Sequence, residues 1–169
     1  MIGGALMRPS SNIVTNISAS PGFSILANLI QAAGLIDTYT RNGPVTVFAP
    51  DNKAFEKLPT GQIDTLLLSA HKGELIKLLN YHVISGKLTA KDIERQIKAG
   101  NGQAILTTLS GNTLTARINE NRNIVLTDEN GRQSVVSLLD IQQSNGILHI
   151  ISMVLMPKFT QGLQATYKP

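Results

Sequence analysis

The chain of 169 residues contains no cysteine and no tryptophan. The first absence removes zinc–thiolate sites, iron–sulfur clusters, thiol catalysis and disulfide scaffolds together. It leaves the compartment open. Aromatic residues make up only 4% of the chain, too few for base-stacking platforms. Charged residues make up 15%, well under the roughly 25% of a typical soluble domain. Together with 42% hydrophobic residues this excludes a disordered chain, which needs many charges and few apolar groups. Long apolar runs are missing too: stretches such as 2–7 and 66–68 fall far short of the roughly 20 residues of a membrane span. What remains is enough chain for one domain to bury a core without disulfides or metal.

The formal charge is +4 and the pI about 9.5. A basic balance raises the question of nucleic acid, but the basic residues are scattered. Lys53 and Lys57 sit around Glu56, and Lys91 and Lys98 bracket Asp92 and Glu94. With no basic cluster to follow a phosphate backbone, nucleic acid is not the expected partner. Residues 1–10 lack the basic start and long apolar stretch of a secretory signal. They read as a stub left where a start methionine replaced a longer leader.

Phe23, Leu26, Ile30 and Ala33 follow helical spacing, with Gly34 at the C-cap. Residues 45–49 read as a short buried strand stopped by Pro50. Asp51 and Asn52 are N-cap candidates for a short helix through Phe55, and Thr60 for another around 63–68. Leu75, Leu78, Leu79 and His82 share one face of a third helix, and Val83-Ile84 turns the chain to strand. Thr89 with Asp92 opens a further helix that Gly100-Asn101-Gly102 ends. The second half reads as hairpins. Strands 104–109 and 113–118 flank Ser110-Gly111-Asn112; strands 123–127 and 134–138 flank a turn with Asn130-Gly131. A last strand, 147–156, ends at Pro157. Helices first and hairpins later imply an α+β domain on an antiparallel sheet. The expected limits are a flexible segment 1–11, one domain 12–158 and a tail 159–169.

Catalytic signatures are absent: no Gly-x-Ser-x-Gly elbow, no phosphate-binding loop, and His71, His82 and His149 lack the i, i+4 spacing of helix-borne metal ligands. No enzyme activity, metal or cofactor is expected. A buried imidazole must satisfy one donor and one acceptor. His82 is therefore read as tying a helix end to a loop near Asp51, with a ligand contact as the alternative. His149 reads as half-buried and internally satisfied. Tyr81 packs its ring and sends its hydroxyl to water or backbone. Asp140, between Leu139 and Ile141, is read as organising a turn through backbone N–H bonds, with a receptor's basic group as the alternative partner.

These residues carry a resemblance. Thr46-Val-Phe-Ala-Pro-Asp-Asn-Lys-Ala-Phe55 resembles the first signature of fasciclin domains. Tyr81-His82 resembles their central pair, and Asn145-Gly-Ile-Leu-His-Ile-Ile-Ser-Met-Val-Leu-Met-Pro157 their closing signature. Three motifs in register over residues 12–158 are specific. The motif positions Thr46, Phe48, Pro50, Asp51, Phe55, Asn145, Gly146, His149 and Pro157 make sense as scaffold. Two departures stand out: Asp51-Asn52 where the family often has Thr before a polar residue, and Ser152 where it often has Asp. The resemblance implies a twisted antiparallel wedge-like sheet with several helices packed on one side. It also implies a non-enzymatic adhesion module that mediates cell-surface, matrix or host–microbe contacts outside the cytoplasm: secreted, at the cell surface or in the periplasm. The lone domain, start methionine and missing cysteine resemble bacterial members. In animal members the positions of Tyr81, His82, Asp140 and Ile141 are proposed as integrin contacts, so these four are the candidate partner-binding residues. The expected partner is a protein or glycan of a cell surface or matrix, with no nucleic acid, no transmembrane segment and a monomeric state. Competing readings are a small-ligand or glycan-binding protein with a concave pocket, and a hydrolase in which two of Asp51, His82 and His149 meet a Ser or Asp in an open cleft.

Overall fold

The computed structural model describes residue 4 and residues 7–41, 44–59, 61–68 and 71–158. Among these, the helices are α1 (Ile13–Ser18), α2 (Ser24–Ala32), α3 (Ile36–Arg41), α4 (Asn52–Glu56), α5 (Gln62–Leu66), α6 (Lys72–Asn80) and α7 (Ala90–Ala99), with a 3-10 turn at Pro21–Phe23. The strands are β1 (Val45–Pro50), β2 (Val83–Ser85), β3 (Ala104–Thr107), β4 (Thr113–Ile118), β5 (Ile124–Thr127), β6 (Gln133–Gln143) and β7 (Gly146–Ile151).

Local chemistry sets most of these boundaries. Asn12 caps α1 by accepting from the Thr15 N–H, and Asp51 caps α4 by accepting from the Ala54 N–H. Thr89 and Asp92 form a reciprocal capping box on α7. After α2 the chain turns at Gly34, in the left-handed region at φ 72°. Thr60 lies outside the described residues; the N-cap of α5 is Gly61. Pro50 is the last residue of β1 rather than the first beyond it, a position where a missing N–H ends the ladder without a gap.

β3 stops at Thr107 instead of 109, and two strands depart further from expectation. β6 runs on to Gln143 instead of stopping at 138. β7 stops at Ile151 instead of 156, because the N–H groups of Leu155 and Met156 are taken by the side chains of His82 and Asp128.

The strands form one sheet in the order β2-β1-β7-β6-β5-β4-β3. All neighbours are antiparallel except β1 and β7, which run parallel from Val45↔Gly146 to Pro50↔Ile151. Side chains alternate across a strand, so the sheet feeds two cores. Val45, Val47, Ala49, Leu148 and Ile150 face one cluster with apolar residues of α1 to α6. Phe48 and Ile151 face the other, with Ile93 and Ile97 of α7 and the inward residues of β3 to β6. The helices thus gather on one side except α7, which packs in the second core. Beyond β3 the Leu109 N–H donates to the Val83 carbonyl at 2.8 Å, so the far end of the sheet curls back to β2. Ahead of Asn12, Met7 is buried and the Arg8 N–H donates to the Asn16 side chain.

Candidate functional site

Tyr81 and His82 follow directly on α6, where the chain turns into β2. Tyr81 is fully buried. Its hydroxyl donates to the Thr113 carbonyl (2.6 Å) and accepts from the Glu129 N–H (3.1 Å), joining two distant hairpin turns. His82 Nε2 accepts from the Leu155 N–H (3.0 Å), which assigns the proton to Nδ1, where it donates to the Leu78 carbonyl (2.8 Å). Burial pushes this imidazole down to a pKa of about 4. The expected tie between helix end and neighbouring chain exists, but its far partner is Leu155; the Asp51 carboxylate serves its own helix. Both side chains lie inside the protein and present no surface to a partner.

The motif positions lie in the same interior. Thr46 donates to the Gly86 carbonyl and accepts from the Leu88 N–H, holding the loop before α7. Phe48 and Phe55 fill the two cores, and Pro157 is buried. Asn145 accepts from the Ile13 N–H (2.9 Å), donates to the Tyr39 carbonyl, and offers its own carbonyl to the Val45 N–H. Gly146 follows at φ 153°, and a Cβ there would stand 1.8 Å from the Val45 carbonyl oxygen, so only glycine admits the close β1–β7 approach. Asn52 does not cap its own helix; it accepts from the Ile25 N–H and so serves the start of α2. Ser152 accepts from the Val135 N–H, while the Lys57 ammonium donates to the Ser152 carbonyl.

Asp140 and His149 form a second unit. His149 is not half-buried but wholly enclosed, stacked on Phe48 with ring centroids 5.5 Å apart. Its Nδ1 accepts from the Asp140 N–H (3.0 Å), leaving Nε2–H to donate to the Leu88 carbonyl (2.8 Å). Burial lowers its pKa, against the opposing pull of the Leu88 bond and the Asp140 carboxylate. Asp140 does bond a backbone N–H, but not within a turn. It sits inside β6 in the left-handed region (φ 57°), and its carboxylate accepts from the N–H of Ala90, the first residue of α7 (2.8 Å).

The β6–β7 register shifts on both sides of Leu138. This bulged stretch turns Leu138 (49% exposed) and Leu139 (43% exposed) outward, while Ile141 packs partly against the helix-side core. Beside Leu138 opens a groove of about 280 Å³ lined by Gly22, Phe23, Asp51, Lys53, Ser137 and Ile150. The signal available in the sequence was the adjacent pair Leu138-Leu139, which breaks strand alternation.

Of the four candidate contacts, then, Tyr81 and His82 lie inside, and Asp140 and Ile141 reach the bulge. The rings of His82 and His149 have both nitrogens engaged in the interior, the opposite of the open cleft that the hydrolase reading requires. Among the described residues no three acidic or imidazole groups could hold a metal ion, and no helix is long and apolar enough to cross a membrane.

A curled, largely antiparallel sheet with two cores, its signature side chains spent on joining distant strands, defines an α+β scaffold domain. The chain belongs to the fasciclin domain family, whose model matches residues 21–157. It is 34% identical over 157 residues to Protein sll1483 of Synechocystis, covering 93% of this chain and 79% of that one. It is 33% identical over 152 residues to transforming growth factor-beta-induced protein ig-h3 of Sus scrofa, covering 90% of this chain but 20% of that protein. In fold it is similar to a FAS1 domain pair from the insect cell adhesion molecule Fasciclin I, with a TM-score of 0.55 and 22% identity. That match covers 89% of this chain and 46% of the other, so the chain spans about half of the pair.

Proposed function

We propose that the domain is a non-enzymatic interaction module acting outside the cytoplasm, and that it meets a protein of a cell surface or matrix through stretch 138–141 of β6. The observation that carries this reading is the bulge itself. A non-glycine residue, Asp140, is held in the left-handed region by His149 beneath it and Ala90 beside it. Such strain persists only where surrounding bonds enforce it, and it is a mark of functional positions. Here it turns two leucines toward solvent next to a groove. Membership of the fasciclin domain family supports the adhesive role. A protein partner is favoured over a glycan because the aromatic side chains Phe23, Tyr39, Phe48, Phe55 and Tyr81 are buried, leaving no exposed Phe or Tyr ring among the described residues for a sugar to stack on.

The test is capture of matrix and cell-surface proteins by the folded domain. Leu139→Asp alters only an exposed side chain, and its capture is expected to fall by at least about tenfold. Asp140→Ala is expected to fall similarly. Equal capture by wild type and Leu139→Asp defeats the proposal.

A further inference from the structure

His82 and His149 are both enclosed, and they differ in what surrounds the ring nitrogen that accepts a bond. On His82 that nitrogen faces the Leu155 N–H, so a proton added there meets another donor. On His149 it faces the Asp140 N–H at 3.0 Å, and the Asp140 carboxylate lies 4.0 Å away. The Asp140 side chain is 42% exposed while the imidazole has no exposure, so the bulge offers a solvent proton a short route to Nδ1. The other groups against the ring are uncharged. On β1 it is stacked on Phe48, its same-face neighbours on β7 are Ile147 and Ile151, and the Leu88 carbonyl accepts its Nε2–H from the loop before α7. Lys87 and Lys91, which flank this loop in sequence, are exposed, and the Asp92 carboxylate is turned to the Thr89 N–H.

We propose that His149 and Asp140 form an acid-released latch beneath stretch 138–141: a proton taken up at His149 Nδ1 replaces the bond to the Asp140 N–H with a charge-assisted bond to the Asp140 carboxylate, the bulge relaxes, and the stretch releases its partner. The release rests on the interaction role of stretch 138–141; the relaxation of the bulge does not. An imidazolium has two N–H donors and no acceptor. The Asp140 N–H is then left facing a donor, and the left-handed backbone at φ 57° loses the bond that enforces it. The carboxylate oxygen nearest the ring, Oδ1, is also the one that accepts from the Ala90 N–H at 2.8 Å. Turning toward the imidazolium therefore loosens the start of α7 as well. Nε2–H keeps its bond to the Leu88 carbonyl, so the ring stays in place and the change is confined to the bulge and its contact with α7. Burial favours the neutral ring, so the latch is closed above about pH 6.5 and opens on the acid side of that value.

A pH titration of the whole chain, followed by NMR at single residues, tests this. The Asp140 and Ala90 amide signals are expected to move together with the His149 ring before the domain unfolds. Protection of the Asp140 amide from exchange is expected to fall by about tenfold or more across that step. His149→Gln keeps a donor and an acceptor without titrating, and its Asp140 amide is expected to show no step. Asp140→Asn keeps an acceptor for Ala90 but removes the carboxylate, and its His149 step is expected about one unit lower in pH. A His149 ring that stays neutral until the whole domain unfolds overturns the proposal. So does an Asp140 amide that ignores the His149 titration, a step that survives His149→Gln and so belongs to the Asp140 carboxylate alone, or a step unmoved by Asp140→Asn. Capture of surface and matrix proteins is expected to drop about tenfold from the neutral to the acid side of the step. Capture that persists overturns the release. The titration needs no partner, and Leu139→Asp decides at pH 7 whether stretch 138–141 is the contact, so either proposal can fail alone.

Discussion

The imidazole of His82 is neutral, enclosed and bonded at both nitrogens, and that state has a pH signature. The unfolded chain takes up this proton near pH 6.5, the folded one only near pH 4. The contribution to stability is therefore complete above about pH 6.5 and lost as pH falls toward 4, by up to about 3 kcal/mol. His149, lowered by the same cause, adds to the same side. Urea unfolding at pH 7 and pH 4.5 measures the drop. His82→Gln keeps a donor and an acceptor but cannot titrate, and its drop is expected to be smaller; an equal drop removes His82 as the source. Gly146 makes a second residue-scale prediction. A methyl group at 1.8 Å from the Val45 oxygen forces β1 and β7 apart. Gly146→Ala is expected to cost roughly 3 kcal/mol or more in the same assay.

Among the elements, α7 depends most visibly on distant chain. Its first turn is capped from within by Thr89 and Asp92 and from β6 by Asp140. Thr89→Ala is expected to lose about 1 kcal/mol. Asp140→Ala is expected to lose a similar amount, and Asp140→Asn less, since an amide oxygen can still accept from the Ala90 N–H. Thermal unfolding of the three variants checks the order. If Asp140→Asn is as damaging as Asp140→Ala, charge rather than hydrogen bonding holds that contact. The elements also separate what is local from what is not. The caps Asp51 and Thr89, the apolar face Leu75, Leu78 and Leu79, and the Asn130-Gly131 hairpin were legible because their partners lie within a few residues. The continuation of β6 past Leu138 was not, because the bulge there is enforced by His149 on another strand.

At the scale of the molecule, stability comes from two apolar cores and buried hydrogen bonds, with no disulfide available. Ion pairs within the described residues include the surface pair Arg95 with Asp92, and two that need a protonated histidine, His71 with Glu74 and His149 with Asp140. Exposed pairs contribute little and are screened by salt. The thermal midpoint at pH 7 is therefore expected to move by less than about 3 °C between low and high sodium chloride. A large fall on adding salt would mean that surface electrostatics carry the fold.

Composition, periodicity and turn chemistry by themselves determined a cysteine-free α+β fold, most of its helices and hairpins though neither α1 nor α3, and, through three ordered motifs, its family resemblance. All of that information is short-range or follows from the order of residues along the chain. The parallel β1–β7 pair, the service of Asn52 to α2, and the reach of Asn145 to Ile13 across 132 positions were decided only by the tertiary structure. The same holds for His82 and Leu155, 73 positions apart, which removes the Tyr-His pair from the surface and leaves the β6 bulge as the exposed part of the candidate site. The physical reason is common to all of them. A buried polar group must find a partner, and residue type states that need without saying which distant strand will meet it.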